Sequence, residues 1–406
     1  MSHKTVNRRN LKATLRSLLW DLLTKLPTVA VVALIVLALE HFGVLNGLQT
    51  VTLDTWLLAT AGGPSSEIFI VGIDDDDYEQ YFDGRSPLAP ERLRTILDAI
   101  VAAHPKTIGV DIDTSNSMFK NLMHESADLS AAVWARDCRK IEKSESAHAF
   151  EREDFLGGSF TELPPTDDMI ATDPKSGATV FPQDSDGLVR RYYPAIVTHS
   201  RSRDQGSPGL CLSMSMALAG ESAGGKGAEE PRLLNTVTAK MQRMYVHQLL
   251  QAAQSSSWSS HSPLAGKIVL LGGMYHAARD SYLTALGPRF GVELIAQAVA
   301  TELSGGGIQE LSAVSQFALD LVLGAALIIF SHFFSGRLAF FMNLLGIAVL
   351  AIIGSWIAFR SLAYWFNYGA VLAGLFIHMQ YEHTVERHEL RQEVEELRKK
   401  LAAQSK

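Results

Sequence analysis

Residues 67–74 read EIFIVGID, an aliphatic run that ends in an aspartate. Its length and its nearly continuous apolar character predict a strand that is buried on both faces. Residues 90–103 (PERLRTILDAIVAA) follow, with apolar side chains at helical spacing behind a proline in the first turn. Residues 107–113 (TIGVDID) predict a second buried strand. The order strand, helix, strand predicts a βαβ unit with parallel strands and a right-handed crossover.

The same pattern returns later in the central part of the chain. Residues 267–271 (KIVLL) predict a third buried strand, and residues 291–303 (GVELIAQAVATEL) predict the helix that follows it. We therefore expect one α/β domain with a mainly parallel sheet over residues 51–311.

Weaker signals lie between these elements. Residues 188–197 alternate like a half-exposed strand after a turn at 184–187, and residues 210–218 predict an apolar helix. Residues 117–174 are polar and irregular, and residues 220–231 are rich in glycine, alanine and serine, so both predict surface insertions.

An apolar run precedes the domain. Residues 27–46 are long enough to cross the roughly 30 Å apolar core of a bilayer as a helix. A secretory signal peptide is the alternative, but no small-x-small cleavage site follows the run. Residues 1–26 carry an excess of basic side chains, which predicts a basic cytoplasmic N-terminus and export of the segment after the helix.

Three more apolar runs follow the domain, at residues 316–334, 338–359 and 362–381. Tight turns between them predict antiparallel transmembrane α-helices, and the aromatic residues at 364–368 predict an interfacial belt. Four spans in total return the chain to the side on which it started. We therefore expect a multi-pass protein of the bacterial inner (cytoplasmic) membrane, in contact with membrane lipid. Both termini are then cytoplasmic, and the α/β domain is extracytoplasmic (periplasmic).

The last residues, 382–406, predict a short C-terminal cytoplasmic coiled coil. Leu390, Val394, Leu397 and Leu401 are spaced by four, three and four residues, which is the a/d seam of a coiled coil. Acidic and basic residues alternate on the flanks, as helix-surface pairing favours. The seam predicts a homodimer contact or a docking helix, and a solvated helical tail is the alternative.

Short motifs stand in order along the chain. They are Asp54 in a helix after the first apolar run, Ile73-Asp74-Asp75, Arg92 and Arg94, Gly109-Val110-Asp111-Ile112, residues 184–191 (DSDGLVRR), residues 266–272 (GKIVLLG), Asp280, Leu286-Gly287-Pro288 and Gly291-Val292-Glu293. With three closing membrane helices, this order resembles the type-two CHASE family, extracellular sensory domains of bacterial membrane kinases and nucleotide cyclases. The resemblance implies a sensor domain and a signalling role, and it fixes no ligand.

The chain also departs from the family pattern. Residues 85–92 replace a Trp-Pro-x-x-Arg segment, and Asp113 and Thr114 stand where the family has a phenylalanine. Family members commonly carry a catalytic cytoplasmic output, whereas only the predicted coil follows the last apolar run. We therefore expect a separate cytoplasmic effector protein.

Carboxylates gather at the predicted carboxyl ends of the strands, where ligands bind in open α/β sheets. Such groups repel one another unless a cation or a basic side chain joins them, and their oxygens suit Ca²⁺ or Mg²⁺. No cofactor is required. The candidate ligand-binding residues are Asp74, Asp75, Asp111, Asp113, Arg190 and Asp280, with Arg191 beside them and with Asp74 and Asp111 as the metal ligands. The structural alternative is that Asp111 bonds backbone amides and that residues 75–77 are solvated in a turn.

The sequence supports no catalytic class. Residues 110–115 (VDIDTS) resemble the nucleophile motif of haloacid-dehalogenase-like phosphotransferases. That chemistry needs a later lysine and a later acidic pair at a strand end, and the sequence lacks both in the required places. We therefore expect a protein that is not an enzyme, with a dehalogenase-like phosphohydrolase as a remote alternative.

Composition excludes further classes. A net charge of -7 without a basic face argues against nucleic acid as a partner. Cys138 and Cys211 are too few for a disulfide framework or a zinc cluster, and one bridge or two separate thiols both remain open.

The sequence therefore predicts a sensor or signal transducer. It would detect an extracytoplasmic ligand or protein and pass the stimulus through the membrane helices to the effector. The alternative from another class is a structural scaffold or assembly subunit whose extracytoplasmic domain binds another protein. A small transporter is a third interpretation, disfavoured because the helices carry no central charge.

Overall fold

The computed structural model describes residues 8–114, 116–119, 121–122, 129, 132–136, 138–139, 161–162, 176–198, 209–220, 231–236, 240–333 and 337–404. Most of the predicted insertion at 117–174, residues 221–230 of the second insertion and the side chains of Cys138 and Cys211 lie outside the described part. The chain divides into two compact units. We call residues 57–308 the α/β unit, and residues 1–56 together with 309–406 the helical unit.

The helices are α1 (Arg8–His41), α2 (Asn46–Thr60), α3 (Pro90–Val101), α4 (Met214–Ala219), α5 (Val246–Ala253), α6 (Trp258–His261), α7 (Gly291–Leu303), α8 (Ala313–Phe333), α9 (Arg337–Ile357) and α10 (Tyr368–Gln404). The strands are β1 (Pro64–Ile73), β2 (Thr107–Asp111), β3 (Val133–Arg136), β4 (Cys138–Arg139), β5 (Thr161–Glu162), β6 (Ser176–Ala178), β7 (Leu188–Val189), β8 (Arg191–Tyr192), β9 (Ala195–Thr198), β10 (Gly209–Leu212), β11 (Arg232–Leu233), β12 (Lys240–Tyr245), β13 (Ile268–Gly273), β14 (Ser281–Thr284), β15 (Gly287–Phe290), β16 (Gln309–Glu310) and β17 (Tyr364–Trp365). Single π-helical turns lie at Asp77–Tyr81 and Ala358–Leu362, and 3₁₀ turns lie at Ser117–Phe119 and His276–Ala278.

The α/β unit is built on a six-stranded sheet in the order β12-β1-β13-β2-β3-β6. All of its strand pairs are parallel, which confirms the predicted mainly parallel sheet. The strands β1 and β2 flank α3 in sequence, but β13 lies between them in the sheet. A parallel pair joined by one helix therefore need not be adjacent, because a later strand can enter the gap.

Helices cover both faces of this sheet, so each central strand is buried on two sides. Val71 and Ile73 of β1 pack with α3 and α5 on one face. Ile68 and Ile70 of the same strand pack with α4 and α7 on the other face. This two-sided burial explains the continuous apolar run that predicted the strand.

Three predictions between the main elements are wrong. The described residues of the predicted surface insertion at 117–174 include β3, which lies inside the six-stranded sheet, and Phe119 and Trp134, which are buried in the core.

Residues 188–197 form three short strands rather than one, because β7 pairs with β14, β8 with β11 and β9 with β10. Residues 209–212 form β10, which pairs antiparallel with β9, rather than the first half of a helix. The helix α4 begins only after Ser213, whose hydroxyl accepts a hydrogen bond from Met216 N–H at 3.2 Å and so caps the helix.

The helical unit contains α1, α8, α9 and the first half of α10, packed through a shared apolar core. Leu327 of α8, Ile347 of α9, and Val371 and Leu375 of α10 form one buried cluster. Val36 of α1 lies against Ala370 of α10 in a second cluster. The structure therefore contains packed apolar helices from the two ends of the chain, as predicted.

Three helices of the described part are long and apolar enough to cross a membrane: Arg16–His41, Ala313–Phe330 and Leu344–Leu362. The predicted fourth span, residues 362–381, is not among them, so the expectation of four such helices is corrected to three. The helix α10 begins only at Tyr368, after β17. Its apolar part, residues 368–381, is about 21 Å long at about 1.5 Å per residue, short of a bilayer core of about 30 Å.

The predicted aromatic belt at 364–368 is also corrected. Trp365 and Phe366 are only 2% and 7% exposed, because they are buried inside the helical unit. Tyr368 packs on Trp56, with ring centroids 5.3 Å apart. Tyr364 alone of these four aromatic residues is well exposed, at 43%.

Candidate functional site

The carboxyl ends of the parallel strands meet at one edge of the sheet in the α/β unit. Asp74 follows β1 directly, and Asp111 is the last residue of β2. Between them, β13 ends in Gly272 and Gly273, and Gly272 is the register partner of Asp111. We call the side chains gathered here the acidic edge: Asp74, Asp75, Asp77, Asp111, Asp280, His247, His276 and Tyr282. Ligands of open α/β sheets bind at this edge.

Asp77 caps the helix α5. Its Oδ2 accepts a hydrogen bond from Val246 N–H at 2.9 Å, and its Oδ1 accepts from His247 N–H at 3.0 Å, with His247 Nδ1 at 3.1 Å. A carboxylate at a helix N-terminus satisfies amides that have no partner within the helix. Burial raises the pKa of the Asp77 carboxyl, and the neighbouring Asp74 carboxylate raises it further. Asp77 is therefore a buried cap, not the solvated turn residue of the structural alternative.

Asp75 joins the loops that follow β1 and β13. Its two oxygens lie 2.8 Å from His276 N and 2.7 Å from His276 Nδ1. The hydrogen bond from the His276 backbone N–H lowers the pKa of Asp75 most, and the bond with the His276 side chain lowers it further. Behind this pair, the rings of Tyr78 and Tyr275 stack with centroids 4.2 Å apart. The two loops are thus held together by two contacts, the Asp75–His276 hydrogen bonds and the Tyr78–Tyr275 stack.

Asp111 and Asp280 form the most unusual pair of the acidic edge. Asp111 Oδ2 is buried and has no hydrogen-bond partner among the described residues. Burial raises the pKa of Asp111 to about 8, and the Asp280 carboxylate contributes to the rise. Burial also raises the pKa of Asp280, although the hydrogen bond with Tyr282 opposes this. At Gly291, the first residue of α7, a side chain would overlap the Asp280 carboxylate, so the Asp280 side chain would have to move.

The titration of Asp111 predicts how the stability of the α/β unit changes with pH. The ordinary pKa of 3.8 applies to the unfolded chain, whereas the folded value is about 8. Between these values the folded protein keeps a proton that the unfolded chain releases, so its stability falls as pH rises. We expect Asp111→Asn to remove this fall, which is on the order of 3 kcal/mol between about pH 6 and about pH 9.

Chemical denaturation of the full chain in mild detergent, at several pH values, measures this effect. Asp76→Asn is the control, because Asp76 is exposed in the turn after β1, whereas Asp111 ends β2. We expect the fall in stability to remain in this variant. A wild-type profile as flat as that of Asp111→Asn would contradict the raised pKa.

The predicted metal pair, Asp74 and Asp111, lies at the ends of two strands that β13 separates. Among the described residues, Asp74 instead groups with Asp77 and His247, with ligand atoms within 4.8 Å of one another. An imidazole with two carboxylates suits a transition metal better than the predicted Ca²⁺ or Mg²⁺.

The remaining predicted site residues have separate positions. Arg190 is 1% exposed, and its guanidinium bonds to Asp184 at 2.9 Å and Asp186 at 2.7 Å. Its charge is therefore engaged within the turn and strand at 184–191, where Arg191 also contacts Asp184. Asp113 lies exposed two residues after β2. The structure thus brings Asp74, Asp75, Asp111 and Asp280 to the acidic edge and engages Arg190 in ion pairs of its own.

Sequence reasoning missed the partners of these carboxylates, His247, His276 and Tyr282. No short motif marks them, because His247 and His276 lie far along the chain from Asp77 and Asp75 and meet them only through the strand order. The weak signal for His247 was its position directly after a strand-to-helix junction, where an anionic cap is expected.

Comparison with known proteins identifies the family. No curated protein and no solved structure matches the chain. The family model of the CHASE2 domain matches residues 29–333, which is well over half of the chain. The match runs from α1 through the α/β unit to the end of α8, and it confirms the resemblance carried by the ordered motifs. This chain therefore belongs to the CHASE2 domain family.

Proposed function

We propose that this CHASE2 protein is a membrane-anchored sensor. The α/β unit lies outside the cytoplasmic membrane, and the helical unit passes its state to a separate cytoplasmic partner. CHASE2 is a sensory domain family, which supports the general role. The observation that carries the finer proposal is α10, a helix that runs unbroken from the core of the helical unit into an exposed apolar seam.

Contacts at the two ends of α1 support the topology. At its end, Glu40 Oε1 accepts a hydrogen bond from Asn367 Nδ2 at 2.7 Å, just before α10 begins. Near its start, Asp21 Oδ2 lies 2.6 Å from His332 Nδ1, near the end of α8. Both α8 and α10 therefore run antiparallel to α1. The basic residues before the first span favour a cytoplasmic start, so the end near Glu40 lies outside.

The chain leaves the helical unit after Trp56 and returns to it at Gln309. Trp56 Nε1 donates to Ser355 Oγ at 2.9 Å, and Gln309 pairs with Tyr364 in β17. Both points lie at the outer end of the helices, where α10 begins. This supports an extracytoplasmic α/β unit. In this proposal α10 also crosses the membrane, beside the three long apolar helices, and therefore ends in the cytoplasm. Val371 and its neighbours are buried against the other helices, which shields the short apolar part of α10 from lipid.

The seam on α10 supports a protein contact in the cytoplasm. Leu390, Val394, Leu397 and Leu401 are 47–66% exposed on a continuous helix, at a/d spacing. Aliphatic side chains at this spacing are the contact surface of a coiled coil. A homodimer through this seam, or a docked effector helix, would cover it, whereas a solvated tail has no need of it.

We assign no catalytic role to the acidic edge. Asp111 lies in the segment that resembles a phosphotransferase nucleophile motif, but that chemistry needs a later lysine and a later acidic pair at a strand end, which the sequence lacks in the required places. We therefore propose sensing rather than phosphoryl transfer.

Cysteine labelling in intact cells tests the proposed topology. In a chain with Cys138 and Cys211 replaced by serine, a membrane-impermeant maleimide should label Gln80→Cys in the α/β unit from outside the inner membrane. It should label Gln392→Cys in the seam region only after the cells are broken. Labelling in the opposite order would place the α/β unit in the cytoplasm and end the sensor proposal.

A further inference from the structure

The helix α2 has an exposed face that carries no charge. Residues 46–56 lie in the helical unit, and the exposed ones among them are Asn46, Gly47, Leu48, Val51 and Thr55. Val51 is 63% exposed, whereas Leu53 and Trp56 on the opposite face are buried. Asp54, the single charged residue of α2, is half-buried. A helix whose buried and exposed faces are both uncharged belongs inside a protein or in a membrane rather than in water.

Exposed apolar side chains also lie in the turn that joins the first candidate span to α2. The span ends at His41, and α2 begins at Asn46. Between them, Phe42 and Val44 are 77% and 65% exposed. The turn at 42–45 contains no charged residue. The apolar surface therefore extends from the turn after the first span into α2.

Trp56 sets the depth of α2. Its Nε1 donates to Ser355 Oγ at 2.9 Å, and its ring packs on Trp356 with centroids 5.2 Å apart. Ser355 and Trp356 belong to the candidate span Leu344–Leu362. Ser355 lies seven residues before the end of this span, which is about 10 Å along a helix axis. A helix that packs there lies at the depth of the acyl chains, because the apolar core of a bilayer is about as thick as the span is long.

Close packing on α10 decides which face of α2 is turned outward. At Gly369, in the first turn of α10, a Cβ atom would lie 2.6 Å from Leu48 Cγ and 2.9 Å from Thr52 Cγ2. Thr52 Oγ1 also donates to Asn367 Oδ1 at 3.2 Å. These contacts hold one face of α2 against the membrane helices. Val51 and Thr55 lie on the other face, because both are exposed.

The hydroxyl groups near the exposed face need no water. Thr55 Oγ1 donates to the Val51 carbonyl at 2.7 Å, and Thr50 Oγ1 donates to the Asn46 carbonyl at 3.1 Å. A hydroxyl in lipid has no solvent partner, so a bond to the backbone of its own helix satisfies it. The helix has 15 residues, too few to cross a bilayer. A lipid contact of α2 is therefore confined to one leaflet.

We propose that the exposed face of α2 binds the acyl chains of the bilayer, in the leaflet that holds the start of α10. The helix is then embedded in the membrane without crossing it. The proposal rests on the membrane anchoring of the helical unit in the proposed function. It holds for either orientation of the chain, and it does not depend on the signalling role.

Nitroxide accessibility tests this proposal on the full chain in vesicles of phosphatidylethanolamine and phosphatidylglycerol. The label is attached at Val51→Cys or at Thr55→Cys, in a chain with Cys138 and Cys211 replaced by serine. We expect both labels to be accessible to oxygen, which concentrates in lipid, and hidden from a water-soluble nickel chelate, at a depth of about 5–10 Å. Each variant should keep the thermal transition of the unlabelled chain, because both positions are exposed.

Two control positions separate this proposal from the anchoring on which it rests. A label at Ile35→Cys, exposed within the first span, should lie deep in lipid, and one at Gln80→Cys, exposed on the α/β unit, should be open to nickel. Labels at 51 and 55 as open to nickel as the one at 80, with the label at 35 in lipid, would overturn the α2 proposal alone. A label at 35 in water would overturn the anchoring as well. Poor access of both reagents to 51 and 55, with spin–spin broadening, would assign this face to a second copy of the chain and overturn the lipid contact.

Discussion

Arg190→Met lowers the free energy of unfolding of the α/β unit by about 2 kcal/mol, as expected when charge-assisted hydrogen bonds from a buried guanidinium to partly exposed carboxylates are removed. The Arg190 side chain is 1% exposed, and its guanidinium bonds to Asp184 and Asp186. Methionine replaces the apolar stem but none of the hydrogen bonds. Arg191 still contacts Asp184, so the loss falls mainly on Asp186.

The same substitution changes the acid dependence of stability. The hydrogen bonds from Arg190 lower the pKa of Asp186 below its ordinary value of 3.8. This contribution is present above that value and is lost as pH falls through the lower folded pKa. In Arg190→Met the pKa of Asp186 returns towards its ordinary value, so this part of the acid dependence disappears.

Hydrogen exchange of the full chain, read at the amides of β7, β8 and β14, reports the stability of this region. Arg94→Met is the control, because Arg94 pairs with Asp98 on the exposed face of α3. Exposed pairs contribute about 0–1 kcal/mol, so this control should change little. Equal losses in the two variants would mean that the ion pairs of Arg190 add nothing beyond a surface contact.

We expect Val394→Lys with Leu397→Lys to weaken the proposed self-association of the protein through its C-terminal helix. Both residues lie on the exposed seam, at 48% and 52% exposure. In a parallel dimer each lysine faces its own copy across the two-fold axis, so charge repulsion replaces apolar burial. The seam is short and only marginally stable by itself, so we expect dimerisation to weaken more than tenfold, about 1.4 kcal/mol or more.

Light scattering of the detergent-solubilised protein over a range of concentrations measures this change. Gln392→Lys with Glu396→Lys is the control, since both positions lie on the same helix outside the a/d seam. The control should dimerise like wild type. Equal dimerisation of the seam variant and wild type would show that the seam does not hold two copies together, and the docking-helix interpretation would then take its place.

The strands β1, β2 and β13 were predicted because each contains an aliphatic run buried inside the sheet, and their positions were right to within a few residues. The strand β3 also lies inside the sheet, with Val133 and Trp134 buried, but its four residues lie in a polar segment and were missed. The strand β12 (KMQRMY) was missed because it is an edge strand whose side chains are mostly exposed or half-buried. The order of the strands was not predictable at all, since it depends on which long connection returns to which side of β1.

The acidic edge was predictable in part for the same reason. Asp74, Asp75 and Asp111 follow buried strands directly, so their location at one edge follows from parallel pairing. The role of Asp77 as a cap of α5 required knowing that β12 neighbours β1, and that information is not local. By contrast, the ion pair of Arg190 with Asp186 is a local contact, and its spacing of four residues could have identified it.

The membrane helices show the opposite error. Apolar content placed a span at residues 362–381, but β17 and a turn with Ala363 at a positive φ of 54° delay the helix until Tyr368. An apolar run in the sequence indicates that its side chains are buried in lipid or protein, but it does not indicate where the helix begins. Here Trp365 and Phe366 are covered by protein instead of lipid.

The continuity of α10 fixes the angular phase of the seam. From Leu375, buried in the helical core, to Leu390, the first seam residue, the helix advances by about 15 residues, or four turns and about 60° at about 100° per residue. Loss of one residue in this stretch would swing the seam by about 100°, and loss of seven would nearly restore its direction. Because α10 is one continuous helix, a rotation of its buried first half about the helix axis would turn the C-terminal seam through about the same angle.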